Sequence, residues 1–155
     1  MYSPMAKGFV YLTAVVDWAS RKVLASTVAI TLEACHAVDV LHEASTRHGK
    51  PEIVNTDQDS QFTAQEFVHA VKDHGCHLSM DGRGAWRDNV FVERLWQSVK
   101  YERICIHAYD SVIEARQSIM QYMDCYNQSM PHSSLGKQTL DEAYAVMLPT
   151  GKLAA

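Results

Sequence analysis

The stretch FVYLTAVVDWASRKVLASTVAI, residues 9–30, contains the clearest fold signal in the chain. Its two outer segments, residues 9–17 and 22–30, are rich in β-branched and aromatic residues, which favour extended strands. The segments are separated only by the short polar connection WASR at 18–21. Because so short a connection brings its two flanking strands side by side in opposite directions, the stretch predicts an antiparallel hairpin.

Outward from the hairpin, helical and extended patterns alternate. Apolar spacing and end signals predict helices at 32–48, 63–74, 88–100, 111–126 and from 139 onward. Short apolar runs predict further strands at 52–56 and 76–80. Thr63 and Glu66 form a capping-box pattern, and Gly49 is a typical helix end. This order predicts an α/β fold with helices on both faces of a mixed sheet. A sheet that begins directly with the hairpin leaves an open seam, which is a free strand edge where another strand could pair.

Composition limits the class of protein. At 155 residues the chain is the size of one domain, and we expect a core over residues 1–148 and a tail over 149–155. No apolar run approaches the roughly 18 residues of a membrane span, and no leader pattern is present, so we expect a cytoplasmic protein. The four cysteines lie far apart without a C-x-x-C pair, which predicts reduced, mostly buried thiols. A net charge of −4 means that any contact with DNA must be local or shared with another molecule.

Two carboxylates stand out by their predicted positions. Asp57 follows the strand at 52–56, and Glu93 lies in the first turns of the helix at 88–100. Magnesium prefers oxygen ligands, and two such ions can clamp the attacking and leaving oxygens of a phosphodiester exchange. A strand-end aspartate and a helical glutamate can therefore converge on one metal site, although spacing alone is weak evidence in a chain with 18 acidic residues.

Four local motifs make that pair more specific. NTDQDSQF at 55–62 resembles the pattern N-T-D-x-G-S-Q-F/Y, and AWRDNVFVE at 85–93 with Lys100 resembles a D-N-x-x-x-E helix with a lysine seven residues on. The segment 126–143 is similar to Y-N-x-x-R-P-H-x-x-L-G-x-x-T-P-x-x-A, and the turn at 17–21 to V-x-D-x-x-S-R. In this order, the motifs resemble the integrase core domain of bacterial insertion-sequence transposases, a retroviral-integrase-like family with a DDE carboxylate set.

This resemblance implies a ribonuclease H-like core whose DDE set holds two Mg²⁺ or Mn²⁺ ions. Asp57 would be the second and Glu93 the third of these ligands. Lys100, two helical turns after Glu93 and on the same face, would contact DNA phosphate. The further DNA contacts that we expect are Arg87, Arg94 and His132. The implied activity is metal-dependent hydrolysis and strand transfer of DNA at transposon ends and target, in a homo-oligomer or with full-length transposase.

The chain departs from the family pattern at several positions. The family's first aspartate lies in a D-x-T-Y-x-P-M segment before the hairpin, and the matching stretch here is MYSPM at 1–5. We therefore expect that aspartate, and most of its strand, to be missing and the isolated chain to be inactive, through gene decay or a misplaced start codon. Asp17 matches a hairpin position instead. Asp59, Met130 and Leu140 replace the family's glycine, arginine and proline.

Several alternatives remain open from the sequence. The chain could be a non-catalytic remnant that binds DNA or full-length transposase, or a ribonuclease H-like nuclease that acts on RNA hybrids. The histidines form no H-x-x-x-H pair beside a third ligand, which predicts surface or hydrogen-bonded side chains. For His132, a structural turn role competes with a DNA-facing one. Trp86 and Trp96 flank Glu93, where packing is favoured over base stacking.

Overall fold

The computed structural model describes residues 2–4, 8–18, 20–56, 60–80, 90–104, 109–128 and 138–147. The strands within these ranges are β1 Tyr2–Pro4, β2 Phe9–Val16, β3 Val23–Ala29, β4 Ile53–Thr56 and β5 His77–Met80. The helices are α1 Ala34–His48, α2 Ser60–Thr63, α3 Gln65–Asp73, α4 Val90–Val99, α5 Val112–Gln128 and α6 Leu140–Met147. A π-helical turn, Lys100–Ile104, continues α4. Among the described helices, none combines the length and apolar character that a membrane crossing requires.

The predicted hairpin is confirmed. Strands β2 and β3 pair antiparallel, with Tyr11 opposite Ala29 and a register shift between Val15 and Val16. The prediction that the sheet begins directly with this hairpin is wrong, because β1 pairs antiparallel with the other edge of β2 and places Tyr2 opposite Tyr11. An edge strand presents unpaired N–H and C=O groups, so three extended residues suffice to add a short strand there.

The remaining strands form a second, parallel pair. In this pair Ile53 lies opposite His77 and Thr56 opposite Met80. Within the described ranges the strands thus form two small sheets, the antiparallel β1-β2-β3 and the parallel β4-β5, so both pairing types of the predicted mixed fold are present. The predicted open seam beside the hairpin corresponds to the edge of β2 that the three residues of β1 occupy.

Helices cover both faces of the three-stranded sheet, as predicted. Alternate residues of β2, including Val10 and Leu12, pack on one face against the helices α4, α5 and α6. On the opposite face, Leu24 packs against Val40 of α1. A neighbouring face of α1, which carries Leu41, packs with β4 and α3. Helix α1 therefore contributes side chains to two separate apolar clusters, one on each sheet.

Most predicted helix ends are confirmed, with one exception. Gly49 follows α1 with φ of 90°, a left-handed conformation that suits glycine, and its N–H donates to the carbonyl of Ser45. The capping box predicted at Thr63 is wrong, because α3 begins after Ala64 without a side-chain cap. Thr63 is already part of helix α2 and donates to the carbonyl of Ser60 at 3.2 Å, a bond that threonine makes readily inside helices.

The last helix begins with a complete capping box. The N–H of Glu142 donates to Thr139 Oγ1 at 3.2 Å, and the N–H of Thr139 donates to the Glu142 carboxylate at 2.8 Å. These reciprocal bonds satisfy two backbone donors that a helix start otherwise leaves unpaired. The sequence signal at residues 139–142 is therefore confirmed at atomic detail, and Leu140 is fully buried beside it.

Helix α5 protects the open edge of β3 with polar side chains. The Asn127 amide accepts a hydrogen bond from the N–H of Val23 and donates one to its carbonyl, both at 2.9 Å. Farther along the strand, Arg116 donates to the carbonyl of Val28 at 3.0 Å. The asparagine of the Y-N motif thus replaces a missing neighbouring strand at Val23.

We expect Asn127→Ala to lower the free energy of unfolding by about 1–3 kcal/mol, because a partly buried N–H and C=O both lose their partner. Urea denaturation of the two proteins measures the difference. The matched control is Gln128→Ala at the next, exposed position. Equal stability of the Asn127 variant and the control would contradict the edge-protecting role.

Candidate active site

The carboxyl end of β4 lies where the sequence predicts it. Strand β4 ends at Thr56, and the parallel strand β5 ends beside it at Met80. The carboxyl ends of parallel strands meet at one edge of a sheet, which is a common position for polar functional groups. Asp57 follows Thr56 directly in the chain, but residues 57–59 lie outside the described residues.

Polar oxygens without partners flank that position on both sides. The buried atoms Asn55 Oδ1, Thr56 Oγ1 and Gln61 Oε1 have no hydrogen-bond partner among the described residues. An unpaired buried oxygen costs roughly 1–3 kcal/mol, so these three oxygens are available to accept a hydrogen bond from water or to contact a ligand. All three are neutral oxygen donors, the type that complements carboxylates around a hard cation or its bound water.

Glu93 is confirmed in the first turn of α4, where its side chain is exposed. The opposite side of this helix is locked in the core by Leu95 and Val99, which are 1% and 0% exposed. Because the buried side fixes the rotation of the helix, the carboxylate is held outward and free of protein ion pairs among the described residues. Trp96 packs against the same core, as the sequence favours.

Lys100 lies at the junction between α4 and the π-helical turn, and its side chain is exposed. The seven-residue spacing from Glu93 corresponds to nearly two full turns of α-helix, so the two side chains share a face. π-helical turns often occur at functional sites because their wider winding displaces the following residues. A carboxylate and an ammonium group are therefore presented on the same exposed face, about two helical turns apart.

Arg94 is also exposed, and it interacts with a residue that the sequence-based site does not include. Its charge, added to burial, lowers the pKa of Arg21 in the β2–β3 turn. Burial raises the pKa of Tyr126, which both arginines act to lower. The hairpin turn, α4 and α5 therefore bring two guanidinium groups near enough to one phenol for their charges to act on its pKa. The available signal was the Ser20-Arg21 pair of the hairpin motif, whose arginine adopts a left-handed φ of 66°.

Asp17 has a structural role in the same turn. Its carboxylate is 1% exposed, and Oδ2 accepts hydrogen bonds from the Ser20 N–H at 3.0 Å and from the Ser20 hydroxyl at 2.5 Å. The Arg21 N–H closes the turn on the Asp17 carbonyl at 2.6 Å. The D-x-x-S-R pattern therefore stabilises the turn through side-chain and backbone hydrogen bonds, in agreement with the hairpin position that the sequence assigns to Asp17.

Two other predicted DNA contacts, Arg87 and His132, lie outside the described residues, as does Trp86. Of the predicted site residues, Glu93, Arg94 and Lys100 are therefore placed, and all three are exposed on one helix and its continuation. That Asp57 and Glu93 converge on one metal site stays a prediction.

Comparison with known proteins identifies relatives of this chain. Two models of the integrase core domain match residues 1–85 and 74–139. Transposase InsF for insertion sequence IS3A from Escherichia coli (strain K12) is 32% identical over 135 residues, which are 84% of this chain and 46% of that protein. The transposase for insertion sequence element IS904 from Lactococcus lactis subsp. lactis (strain IL1403) is 30% identical over 137 residues, 86% of this chain and 54% of that protein. The chain thus spans about half the length of these curated relatives.

Solved structures agree on the fold. The HTLV-2 integrase catalytic core domain in complex with magnesium, in its dimeric form, superimposes with a TM-score of 0.71 at 19% identity, covering 93% of this chain and 90% of that one. The BIV integrase catalytic core gives a TM-score of 0.72 at 18% identity, covering 97% and 93%. The fold is accordingly that of the ribonuclease H-like retroviral integrase cores, and the chain belongs to the integrase core domain family.

Proposed function

We propose that this chain is the catalytic core of an insertion-sequence transposase, which hydrolyses DNA phosphodiester bonds and joins the resulting 3′ ends to target DNA. The observation that carries the proposal is the group of buried oxygens on Asn55, Thr56 and Gln61, which flank Asp57 in the sequence and have no hydrogen-bond partner in the part of the chain that the structure describes. The transposases to which the chain is similar, and the magnesium named for the HTLV-2 integrase core, support the same chemistry.

Asp57 and Glu93 are the residues that we propose as metal ligands. Both supply carboxylate oxygens, which Mg²⁺ and Mn²⁺ prefer, and the neutral oxygens beside Asp57 fit water molecules of such a shell. When bound, two such ions supply positive charge at the attacking and leaving oxygens of the phosphodiester. The outward position of Glu93 on a helix anchored by its buried face limits how far this carboxylate can move.

The positive side chains near Glu93 are proposed to position the DNA backbone. Lys100, Arg94, Arg87 and His132 are the predicted contacts, and the proximity of Arg21 to Arg94 adds a fifth. Because the chain carries a net charge of −4, its average field repels DNA, and affinity must come from such local groups. Phosphate contacts of this kind fix register on the duplex without reading sequence.

Assembly and location form the remaining part of the proposal. We infer that the core acts on transposon ends and target DNA as a homo-oligomer or together with full-length transposase, in the cytoplasm where bacterial DNA lies. The dimeric and trimeric forms of the HTLV-2 integrase core support an oligomer. Sedimentation of the chain with and without terminal DNA measures its size; a monomer in both conditions contradicts this part.

The function is tested with labelled duplexes that end in the element's terminal sequence, incubated with the chain and Mg²⁺. The same reaction is run on a version extended before Met1 by the family's D-x-T segment. We expect joined DNA products from at least one of the two proteins, and these products should disappear when the metal is chelated. Absence of nicking and joining in both proteins contradicts the transposase proposal, and preferential cleavage of an RNA–DNA hybrid replaces it with a nuclease function.

We expect Lys100→Ala to weaken binding to duplexes of any sequence and to reduce the slope of log affinity against log salt by about 0.9, because one phosphate contact is lost. Fluorescence anisotropy over a salt series measures both quantities. Lys72→Ala, which removes an exposed lysine of α3, is the matched control and should leave the slope unchanged. An equal change in the two variants would show that only net charge matters.

A further inference from the structure

Three side chains of different metal-binding types meet at the start of α1. Glu33 occupies the N-cap position, and Cys35 and His36 lie in the first helical turn. One ligand atom from each, a carboxylate oxygen, the thiol sulfur and a ring nitrogen, lies within 4.8 Å of the other two. Among the described residues this is the one group of three such ligands, and it lies outside the carboxylate site of the proposed function.

We propose that Glu33, Cys35 and His36 form a binding site for Zn²⁺ or a similar transition-metal ion. Thiolate and imidazole are soft or intermediate ligands that select zinc over magnesium, and one carboxylate is common beside them. The E-x-C-H arrangement at 33–36 differs from zinc knuckles and H-x-x-x-H sites, which explains why cysteine and histidine spacing alone does not reveal it.

The distances require little adjustment. Cys35 Sγ lies 3.5 Å from Glu33 Oε2, and ligand atoms around tetrahedral zinc are separated by about 3.4–3.6 Å, given zinc–ligand distances near 2.0–2.3 Å. The widest separation in the group, at most 4.8 Å, must therefore shorten by about 1 Å. Glu33 is exposed and the other two side chains are half-buried, so rotation about side-chain bonds can supply this change.

The surrounding bonds favour a ligand role for Glu33 and His36. Although Glu33 stands at the N-cap, its carboxylate makes no hydrogen bond to the backbone of the helix and faces the thiol instead. His36 Nε2 lies 3.1 Å from Thr31 Oγ1. Metal-bound histidines usually hydrogen-bond through their second ring nitrogen, which fixes the ring and its tautomer. Thr31 is such a partner when the metal binds Nδ1.

The charges of the group also match a divalent ion. A carboxylate, a thiolate and a neutral imidazole together carry two negative charges, which a divalent ion neutralises. Burial and the neighbouring Glu33 carboxylate raise the pKa of the Cys35 thiol, so a bound ion has to displace the thiol proton. Three protein ligands leave one tetrahedral position for water or an external ligand, which is the arrangement of an open zinc site.

The exposure of the thiol makes the site accessible. The sequence-based prediction of mostly buried thiols is wrong for the described cysteines: Cys76 is buried, but Cys35 is half-buried and Cys125 is exposed. Cys105 lies outside the described residues. Cys125 is thus a cysteine control with at least equal access to solvent.

The test is a titration of the full chain with Co²⁺ under reducing conditions, followed by displacement with Zn²⁺. We expect one equivalent to bind with a thiolate-to-cobalt charge-transfer band that is lost in Cys35→Ser and kept in Cys125→Ser. Glu33→Gln and His36→Gln should weaken binding at least tenfold, and Thr31→Val about tenfold. His42→Gln, an exposed histidine of the same helix, should bind as the unaltered chain does.

The fold of each variant is checked by circular dichroism without metal, which these partly exposed substitutions should leave unchanged. A charge-transfer band that is absent, or that persists in Cys35→Ser, overturns the proposal. So does competition by excess Mg²⁺, which would indicate a hard oxygen site. These outcomes are independent of Asp57 and Glu93, so the failure of one site says nothing against the other.

Discussion

Asp57→Asn and Glu93→Gln are each expected to reduce strand transfer at least 100-fold, in the version of the protein that shows activity. A 100-fold loss corresponds to about 2.7 kcal/mol of transition-state stabilisation. Each substitution retains the size of the side chain but removes the negative charge that a divalent ion requires from its ligands. Product formation is measured at saturating Mg²⁺, because a variant that only binds the metal more weakly would regain its activity there.

Matched controls separate this effect from a general change in charge. Glu114→Gln removes a carboxylate from the first turn of α5, and its amide oxygen can still accept the bond from the Asp110 N–H. Asp73→Asn removes an exposed carboxylate at the end of α3. Both controls should retain activity within about threefold, which is less than 1 kcal/mol. Unchanged activity in the Asp57 and Glu93 variants would end their assignment as metal ligands.

Leu95→Ala is expected to lower the free energy of unfolding by about 2–5 kcal/mol. Leu95, a residue of α4, is 1% exposed and belongs to the apolar cluster that α4 forms with the three-stranded sheet and α5. Truncation of its side chain therefore leaves a cavity in this cluster. Domains are stable by only about 5–15 kcal/mol, and the loss is therefore a large part of the total. Urea denaturation measures it. Leu95→Met, which preserves volume, should cost less than about 1.5 kcal/mol.

The unfolding transition distinguishes the effect of Glu93→Gln from that of Leu95→Ala. Glu93 is exposed, so Glu93→Gln should leave the unfolding transition unchanged while activity is lost. Leu95→Ala should lower the transition and reduce activity only as far as the protein unfolds. Loss of activity in Leu95→Ala well below its unfolding temperature would show instead that the orientation of α4 itself limits catalysis.

Local chemistry in the sequence predicts much of this fold. The β-branched run at 9–30 forms the hairpin, and Gly49 ends the helix that precedes β4. The Thr139–Glu142 signal forms its capping box. These features depend on residues within a few positions of one another, where periodicity and side-chain chemistry determine the backbone.

Competition between neighbouring signals explains what was mispredicted locally. Thr63 has the residue type of a helix cap, but it is the last residue of a separate helical turn, residues 60–63. Its hydroxyl donates to the Ser60 carbonyl within that turn and makes no cap for α3. Likewise, the three residues of β1 are too few to produce a periodic pattern, and only the free edge of β2 makes them a strand. In both places the result depends on neighbours that a single motif does not contain.

By itself, the sequence determined the family, the order and type of most elements, and the position of Glu93 in the first turns of a helix. Tertiary structure decided which distant groups meet: Asn127 bonds Val23 across 104 positions, and Arg94 lies near Arg21. The division of the strands into two sheets is of the same kind. The physical reason is that motifs and periodicities act over a few residues, whereas these contacts exist only after buried helix faces dock on the sheet and bring separate segments together.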